Sequence, residues 1–87
     1  MRITVLSAPG CGLCEHAKAV LSRIGVDFEL EIEELSTENE AGRQLMAKHR
    51  VAFPPGVLID GSPFSYGRLS ERKLRQELTR LRRGKVG

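Results

Sequence analysis

Two cysteines, Cys11 and Cys14, stand where an apolar strand pattern changes into a helical pattern. Residues 2–7 are β-branched and apolar, and they run directly into a Pro-Gly pair, which predicts a buried strand that ends in a turn. Apolar residues then recur at helical spacing over 12–24, and a glycine follows as a stop signal. The cysteine pair is therefore expected at a strand-to-helix turn, at the start of the first helix.

That position favours redox chemistry at the two sulfurs. A helix N-terminus offers unpaired backbone N–H groups and the positive end of the helix dipole, and both stabilise a thiolate. We therefore expect Cys11 to be exposed and acidic. A spacing of three residues returns Cys14 to the same side of the helix one turn later, so it can attack a mixed disulfide formed on Cys11.

The middle of the chain predicts a second strand and a second helix. Apolar residues alternate with acidic ones over 26–33, which is typical of a strand with one buried face. Thr37 and Glu40 have the spacing of a capping box and predict the start of the second helix. One side of that helix is marked by Ala41, Leu45, Met46 and His49.

The last third of the chain predicts a hairpin and a helix. An apolar strand over 56–59 turns at Asp60-Gly61 into a fourth strand near Phe64 and Tyr66. Ser70 is expected to cap a final helix whose core side contains Leu74, Leu78 and Leu81. The predicted fold is α/β: a four-stranded mixed sheet flanked by three helices, in the order βαβαββα.

Length and composition limit what else the chain contains. Its 87 residues leave room for one domain and none for a separate substrate or cofactor domain. We assign 1–83 to that domain and 84–87 to a flexible C-terminal tail. The first residues are too briefly apolar for a signal peptide or a membrane span, so we expect a cytoplasmic protein that does not bind membranes.

A reducing compartment makes a structural disulfide a weak explanation for the cysteines. A bond between them would close too short a loop to stabilise the fold much.

A structural zinc site needs four ligands, and the chain has two Cys and two His, so we predict no metal site. Covalent haem attachment requires His where Glu15 stands. An iron–sulfur cluster shared between two chains needs an added thiol and stays open.

The net charge is +3, and many of the basic residues lie near the C-terminus. Such a stripe could meet phosphates or an acidic protein surface. No aromatic residue interleaves with these charges, so we interpret the stripe as a solvated helix face and expect no nucleic-acid partner. The residues are Arg72, Lys73, Arg75, Arg80, Arg82, Arg83 and Lys85.

Two segments, 9–14 and 53–61, resemble glutaredoxins, and with the predicted elements the resemblance covers nearly the whole chain. It implies a thioredoxin-like fold of the glutaredoxin type. It also implies that Pro55 is a cis proline facing the active-site cysteine. The chain differs from thioredoxins, which place Trp and Pro at the positions of Gly10 and Leu13. It also lacks the basic residue that glutaredoxins place three residues before the first cysteine to bind a glutathione carboxylate, because Ala8 stands there.

The resemblance implies a thiol–disulfide oxidoreductase in which Cys11 forms a mixed disulfide that Cys14 resolves. The alternative is a non-enzymatic thioredoxin-fold adaptor or iron–sulfur carrier. We expect a monomer with no permanently bound cofactor, acting on disulfide-containing proteins or small thiols. The electron donor is left open among glutathione, another low-molecular-weight thiol and a flavoprotein reductase. The expected substrate-binding residues are Gly10, Gly12, Leu13, Pro54, Pro55, Tyr66, Gly67 and Arg68.

Three of these expectations depend on single residues. Pro54 has no N–H to pair with a substrate backbone, which together with Ala8 predicts weak glutathione binding. Tyr66 and Phe53 either line a peptide groove or belong to the core. His16 is expected to flank the core and is assigned no catalytic role.

Overall fold

The computed structural model describes residues 1–84. Its elements follow the predicted order βαβαββα. They are β1 (Arg2–Ser7), α1 (Gly12–Ile24), β2 (Glu31–Ser36), α2 (Glu40–Lys48), β3 (Gly56–Ile59), β4 (Ser62–Tyr66) and α3 (Glu71–Gly84).

The four strands form one mixed sheet in the order β2-β1-β3-β4. β1 pairs in parallel with β2 across the α1 crossover and antiparallel with β3. β3 and β4 form an antiparallel hairpin that turns at Asp60 and Gly61, both at positive φ, as the Asp-Gly pair predicts. The predicted fold class is therefore confirmed.

The core lies on the side of the sheet that α1 and α3 cover. Alternate residues of β1 and β3 meet the buried sides of these two helices there. Each residue of this core is less than a tenth exposed. Its members include Ile3, Val5, Ala17, Val20, Leu21, Ile24, Val57, Ile59, Leu69, Leu74 and Leu78. Ser70 Oγ accepts the Lys73 N–H at 3.2 Å, which confirms the predicted cap of α3.

The second strand starts later than the alternation predicts. Residues 25–28 continue the end of α1 in turns, in which the Phe28 N–H donates to the Ile24 carbonyl at 3.0 Å. Val26 is 84% exposed, whereas Phe28 reaches the core from a loop and stacks beneath the Arg82 guanidinium. The prediction of a strand over 26–33 is wrong for 26–30, because turns that continue from the end of α1 occupy the first of these residues and pairing with β1 begins only at Glu31.

The start and packing of α2 also differ from the prediction. The Thr37 N–H donates to the Ser7 carbonyl at 2.7 Å and so extends the β1–β2 pairing, which leaves Asn39 as the N-cap with no side-chain cap bond. Ala41 is exposed, whereas Gly42 is buried against the Ser36 backbone. A Cβ at position 42 would overlap that backbone. The predicted capping box at Thr37 and Glu40 is therefore wrong.

The predicted tail at 84–87 lies mostly outside the described residues. Gly84 is the last residue of α3, and 85–87 are beyond the part of the chain that the structure describes. Within residues 1–84, no helix is both long and apolar enough to cross a membrane.

Candidate functional site

Three strand ends meet at one end of the sheet, which we call the disulfide end. The β1–β3 register places Leu6 opposite Gly56, and the β3–β4 register places Gly56 opposite Tyr66. The loop that carries the cysteines leaves β1 at this end, and residues 53–55 enter β3 there. The sheet thus brings together the two segments that the sequence singled out.

Cys11 is the N-cap residue of α1. Its backbone is extended, with φ −98° and ψ 107°, and its Sγ accepts the Cys14 N–H at 3.0 Å. The helix begins here because the Cys11 carbonyl accepts the Glu15 N–H at 3.2 Å. The side chain therefore occupies the position where an N-cap oxygen usually accepts an unpaired helix N–H. A negative charge on this sulfur would face the positive end of the α1 dipole.

Cys11 and Cys14 are joined by a disulfide, with their Cα atoms 5.2 Å apart. The two sulfur-bearing residues differ in exposure: Cys14 is 1% exposed, whereas Cys11 is half-buried. Cys14 lies against the core side of α1, and Cys11 lies at the surface where another molecule can reach it. Cys14 is thus the more buried of the two, and Cys11 is half-buried rather than exposed as the sequence predicts.

The second segment carries the cis peptide bond that the resemblance implies, between Pro54 and Pro55. Pro55 is buried and Pro54 is half-buried. The Pro55 carbonyl accepts the Gly67 N–H at 2.8 Å, which ties the segment before β3 to the loop after β4. These two loops therefore form one surface at the disulfide end.

Phe53 and Tyr66 are surface residues, so of the two interpretations offered by the sequence the core is wrong. Phe53 is 50% exposed and Tyr66 is 48% exposed. Their rings meet edge to face, with centroids 5.3 Å apart and planes at 85°. The Phe53 ring also lies against Gly67, where a Cβ would stand 2.9 Å from a ring carbon and where φ is +78°. Glycine is favoured at that position on both counts.

The other expected binding residues lie around the same surface. Gly10, with φ +66°, and Gly12 are exposed and have open space beside them. Leu13, between the cysteines, is 37% exposed, and Arg68 is exposed next to Gly67. Every residue expected in the site thus lies in one of three places. These are the cysteine loop with the first turn of α1, the segment before β3, and the end of β4 with the loop that follows it. Their roles in binding stay predictions.

A polar network lies beside the end of β1 that leads to the cysteines, and the sequence pattern did not reveal it. Ser7 Oγ donates to Glu34 Oε2 at 2.7 Å, and Lys18 Nζ lies 3.0 Å from the same oxygen. The Ser7 hydrogen bond and then the Lys18 ammonium lower the pKa of Glu34 below its ordinary value. Glu34, and then Glu15, raise the pKa of Lys18. The network joins α1 to β2, and it follows from the β1–β2 register, which no local motif encodes.

His16 has no chemical role that the geometry supports. It is half-buried on α1, and its Nδ1 is buried without a hydrogen-bond partner among residues 1–84. Over the same residues, no group of three or more His, Cys, Asp and Glu side chains is arranged to hold a metal ion.

The chain is similar to known proteins over most of its length. The family model described as a glutaredoxin-like domain (DUF836) matches residues 2–79. A mutant of the thioredoxin-like protein BC3987 is 28% identical, with a TM-score of 0.70 over 87% of this chain and 97% of that chain. A mutant thioredoxin from Halobacterium salinarum NRC-1 is 16% identical, with a TM-score of 0.65 over 86% of this chain and 68% of that chain. Among curated proteins, none matches.

Proposed function

The chain belongs to the glutaredoxin-like domain family DUF836, and on that premise we propose that it is a thiol–disulfide oxidoreductase whose Cys11 attacks and whose Cys14 resolves. The observation that carries the proposal is the unequal exposure of the two cysteines within one disulfide. Cys14 is 1% exposed, and Cys11 is half-buried at the N-terminus of α1. An accessible sulfur at a helix N-terminus is the arrangement that activates a thiolate.

The first step is attack by the Cys11 thiolate on one sulfur of a substrate disulfide. The bond between Cys11 and that sulfur forms, the substrate S–S bond breaks, and the other substrate sulfur leaves as a thiolate that takes up a proton. In the disulfide-bonded structure the Cys14 N–H donates to Cys11 Sγ at 3.0 Å, and in the reduced protein we expect the same N–H and the positive end of the α1 dipole to face the Cys11 thiolate. We propose that these donors stabilise the attacking thiolate.

The second step is resolution by Cys14. Its thiol loses a proton and attacks Cys11 Sγ, so that the Cys11–Cys14 bond forms and the bond between Cys11 and the substrate sulfur breaks. That sulfur takes up a proton and leaves as a thiol. The substrate disulfide has then gained two electrons, and the protein holds the disulfide seen in the structure. Two molecules of glutathione, two of another low-molecular-weight thiol, or a flavoprotein reductase return the two electrons in this proposal.

Trapping of the intermediate tests this assignment. Reduced Cys14→Ser protein, mixed with a peptide disulfide, should accumulate a mixed disulfide on Cys11 that mass spectrometry detects, because no resolving thiol remains. Cys11→Ser is the matched control and should form little adduct, because Cys14 is buried. Equal adducts on both variants would contradict the assigned roles. A purified protein that carries an iron–sulfur chromophore and forms no adduct would favour the alternative of a cluster carrier.

A further inference from the structure

Exposed apolar surface gathers at the disulfide end. Of five large hydrophobic residues exposed among residues 1–84, three lie there, namely Leu13, Phe53 and Tyr66. Each is between 37% and 50% exposed. Apolar side chains grouped on a surface next to reactive groups mark a recognition site more often than apolar residues scattered singly. This surface lies at the same end of the sheet as the half-buried Cys11, where the β1–β3 and β3–β4 registers place Leu6 opposite Gly56 and Gly56 opposite Tyr66.

The two aromatic rings are held in place before any substrate arrives. Phe53 lies against Gly67 on one side and meets the Tyr66 ring edge to face, with centroids 5.3 Å apart. The Gly67 N–H in turn donates to the Pro55 carbonyl at 2.8 Å. A fixed apolar surface loses little conformational entropy on binding, which favours association.

Glutathione does not match the apolar surface that the two rings present. Arg68 follows Gly67 in the sequence and is exposed, and Ala8 stands where the resemblance implies a cation for a glutathione carboxylate. Glutathione offers no large apolar side chain to cover Phe53 and Tyr66, so the rings would stay exposed to water. An extended polypeptide with an apolar side chain beside its cysteine would cover them.

From this we infer that the Phe53–Tyr66 pair is a side-chain subsite that selects polypeptide disulfides with a large apolar residue next to the reacting cysteine. The inference rests on the proposed function and names its substrate class. The step itself is the exchange described above, in which the peptide sulfur bonds to Cys11 and its former partner leaves as a thiol.

A competition experiment tests the subsite. Reduced Cys14→Ser protein is given equal amounts of three short peptides that carry Leu, Gln or Asp on both sides of one cysteine, each as a disulfide with the same leaving thiol. Acid quench and mass spectrometry count the adducts on Cys11. The Leu peptide should form roughly tenfold more adduct than the Gln peptide, because apolar contact discriminates by about that factor.

Substitutions in the same Cys14→Ser background assign the preference. Phe53→Ser and, independently, Tyr66→Ser should bring the Leu-to-Gln ratio close to one. The matched control is Val26→Ser, which removes an apolar side chain that is 84% exposed beyond the other end of α1, and it should keep the ratio of the parent protein. Two separate ring variants keep the test valid if one of them fails to fold.

Each remaining outcome overturns the inference. Equal Leu and Gln adducts would remove the apolar subsite and leave the proposed exchange reaction intact. A preference for the Asp peptide would mean that Arg68 governs recognition. Absence of every adduct, in a protein whose Cys11 still reacts with iodoacetamide, would reject both the subsite and the exchange function.

Discussion

Large apolar side chains are buried between the sheet and the helices α1 and α3, whereas at the disulfide end they are exposed. Leu74 and Leu78 on α3 are fully buried, and Phe53 and Tyr66 are about half exposed. Residues of the same chemical class therefore contribute to stability in one region and are free to contact a second molecule in the other. Substitutions in the two regions should separate folding from reactivity.

The largest expected effect is in the core. Leu78→Ala should lower the free energy of unfolding by about 2–5 kcal/mol, because it leaves a cavity between α3 and the sheet. Urea denaturation measures the loss. Leu81→Ala, at a half-buried position on the same helix, should lose less. Equal losses would mean that this region is not a close-packed core.

The second effect compares two glycines at positive φ. Gly67→Ala and Gly61→Ala should each lower the free energy of unfolding by about 1–2 kcal/mol, because a residue with a Cβ is disfavoured in the left-handed region. Only at Gly67 would the Cβ meet the Phe53 ring, at 2.9 Å, whereas Gly61 has open space. Gly67→Ala should therefore also lower the Leu-to-Gln adduct ratio, measured by the competition above. An unchanged ratio would show that the position of Phe53 does not control selection.

The third effect concerns binding without a large change in stability. Pro54→Val adds a backbone N–H at the half-buried residue before Pro55. One additional hydrogen bond to a substrate backbone contributes about 0.5–1.5 kcal/mol, which is up to about tenfold in affinity. The value of KM for glutathione and for peptide disulfides should fall accordingly. Unchanged binding in a normally folded variant would reject this role for the segment.

The smallest effect is a pH dependence at the network beside the cysteine loop. The Ser7 hydrogen bond and Lys18 lower the folded-state pKa of Glu34 below its ordinary value of 4.5. Its contribution to stability is therefore present above pH 4.5 and is lost as the pH falls through the lower folded-state pKa. Thermal melts between pH 7 and pH 2 should show a smaller acid-induced loss in Glu34→Gln and in Ser7→Ala than in the parent. Identical losses would contradict the network.

Local patterns predicted those parts of the fold that local chemistry decides. The strand before the cysteines, the Asp60-Gly61 turn and the Ser70 cap were recoverable because their signals lie within a few residues. The capping box at Thr37 failed because the Thr37 N–H is bonded to Ser7, which is distant in sequence.

Features that depend on strand register or close approach were not predictable. The burial of Gly42 is set by the Ser36 backbone, and the link between Ser7 and Glu34 by the pairing of β1 with β2. The position of the cysteines at the start of α1 could be predicted, because it depends on the local sequence around them. The exposed pairing of Phe53 with Tyr66 required the β3–β4 register and the contact with Gly67. An aromatic residue directly before the Pro-Pro pair was the available signal for Phe53.

The central claim is that Cys11 attacks and Cys14 resolves, and the rate of alkylation of each thiol tests it most directly. The fully reduced protein is treated with iodoacetamide at neutral pH, and peptide mass spectrometry follows each cysteine over time. Cys11 should react about tenfold faster or more, because it combines a helix N-terminus with access to solvent, whereas Cys14 is 1% exposed. Equal rates, or faster reaction at Cys14, would contradict the account.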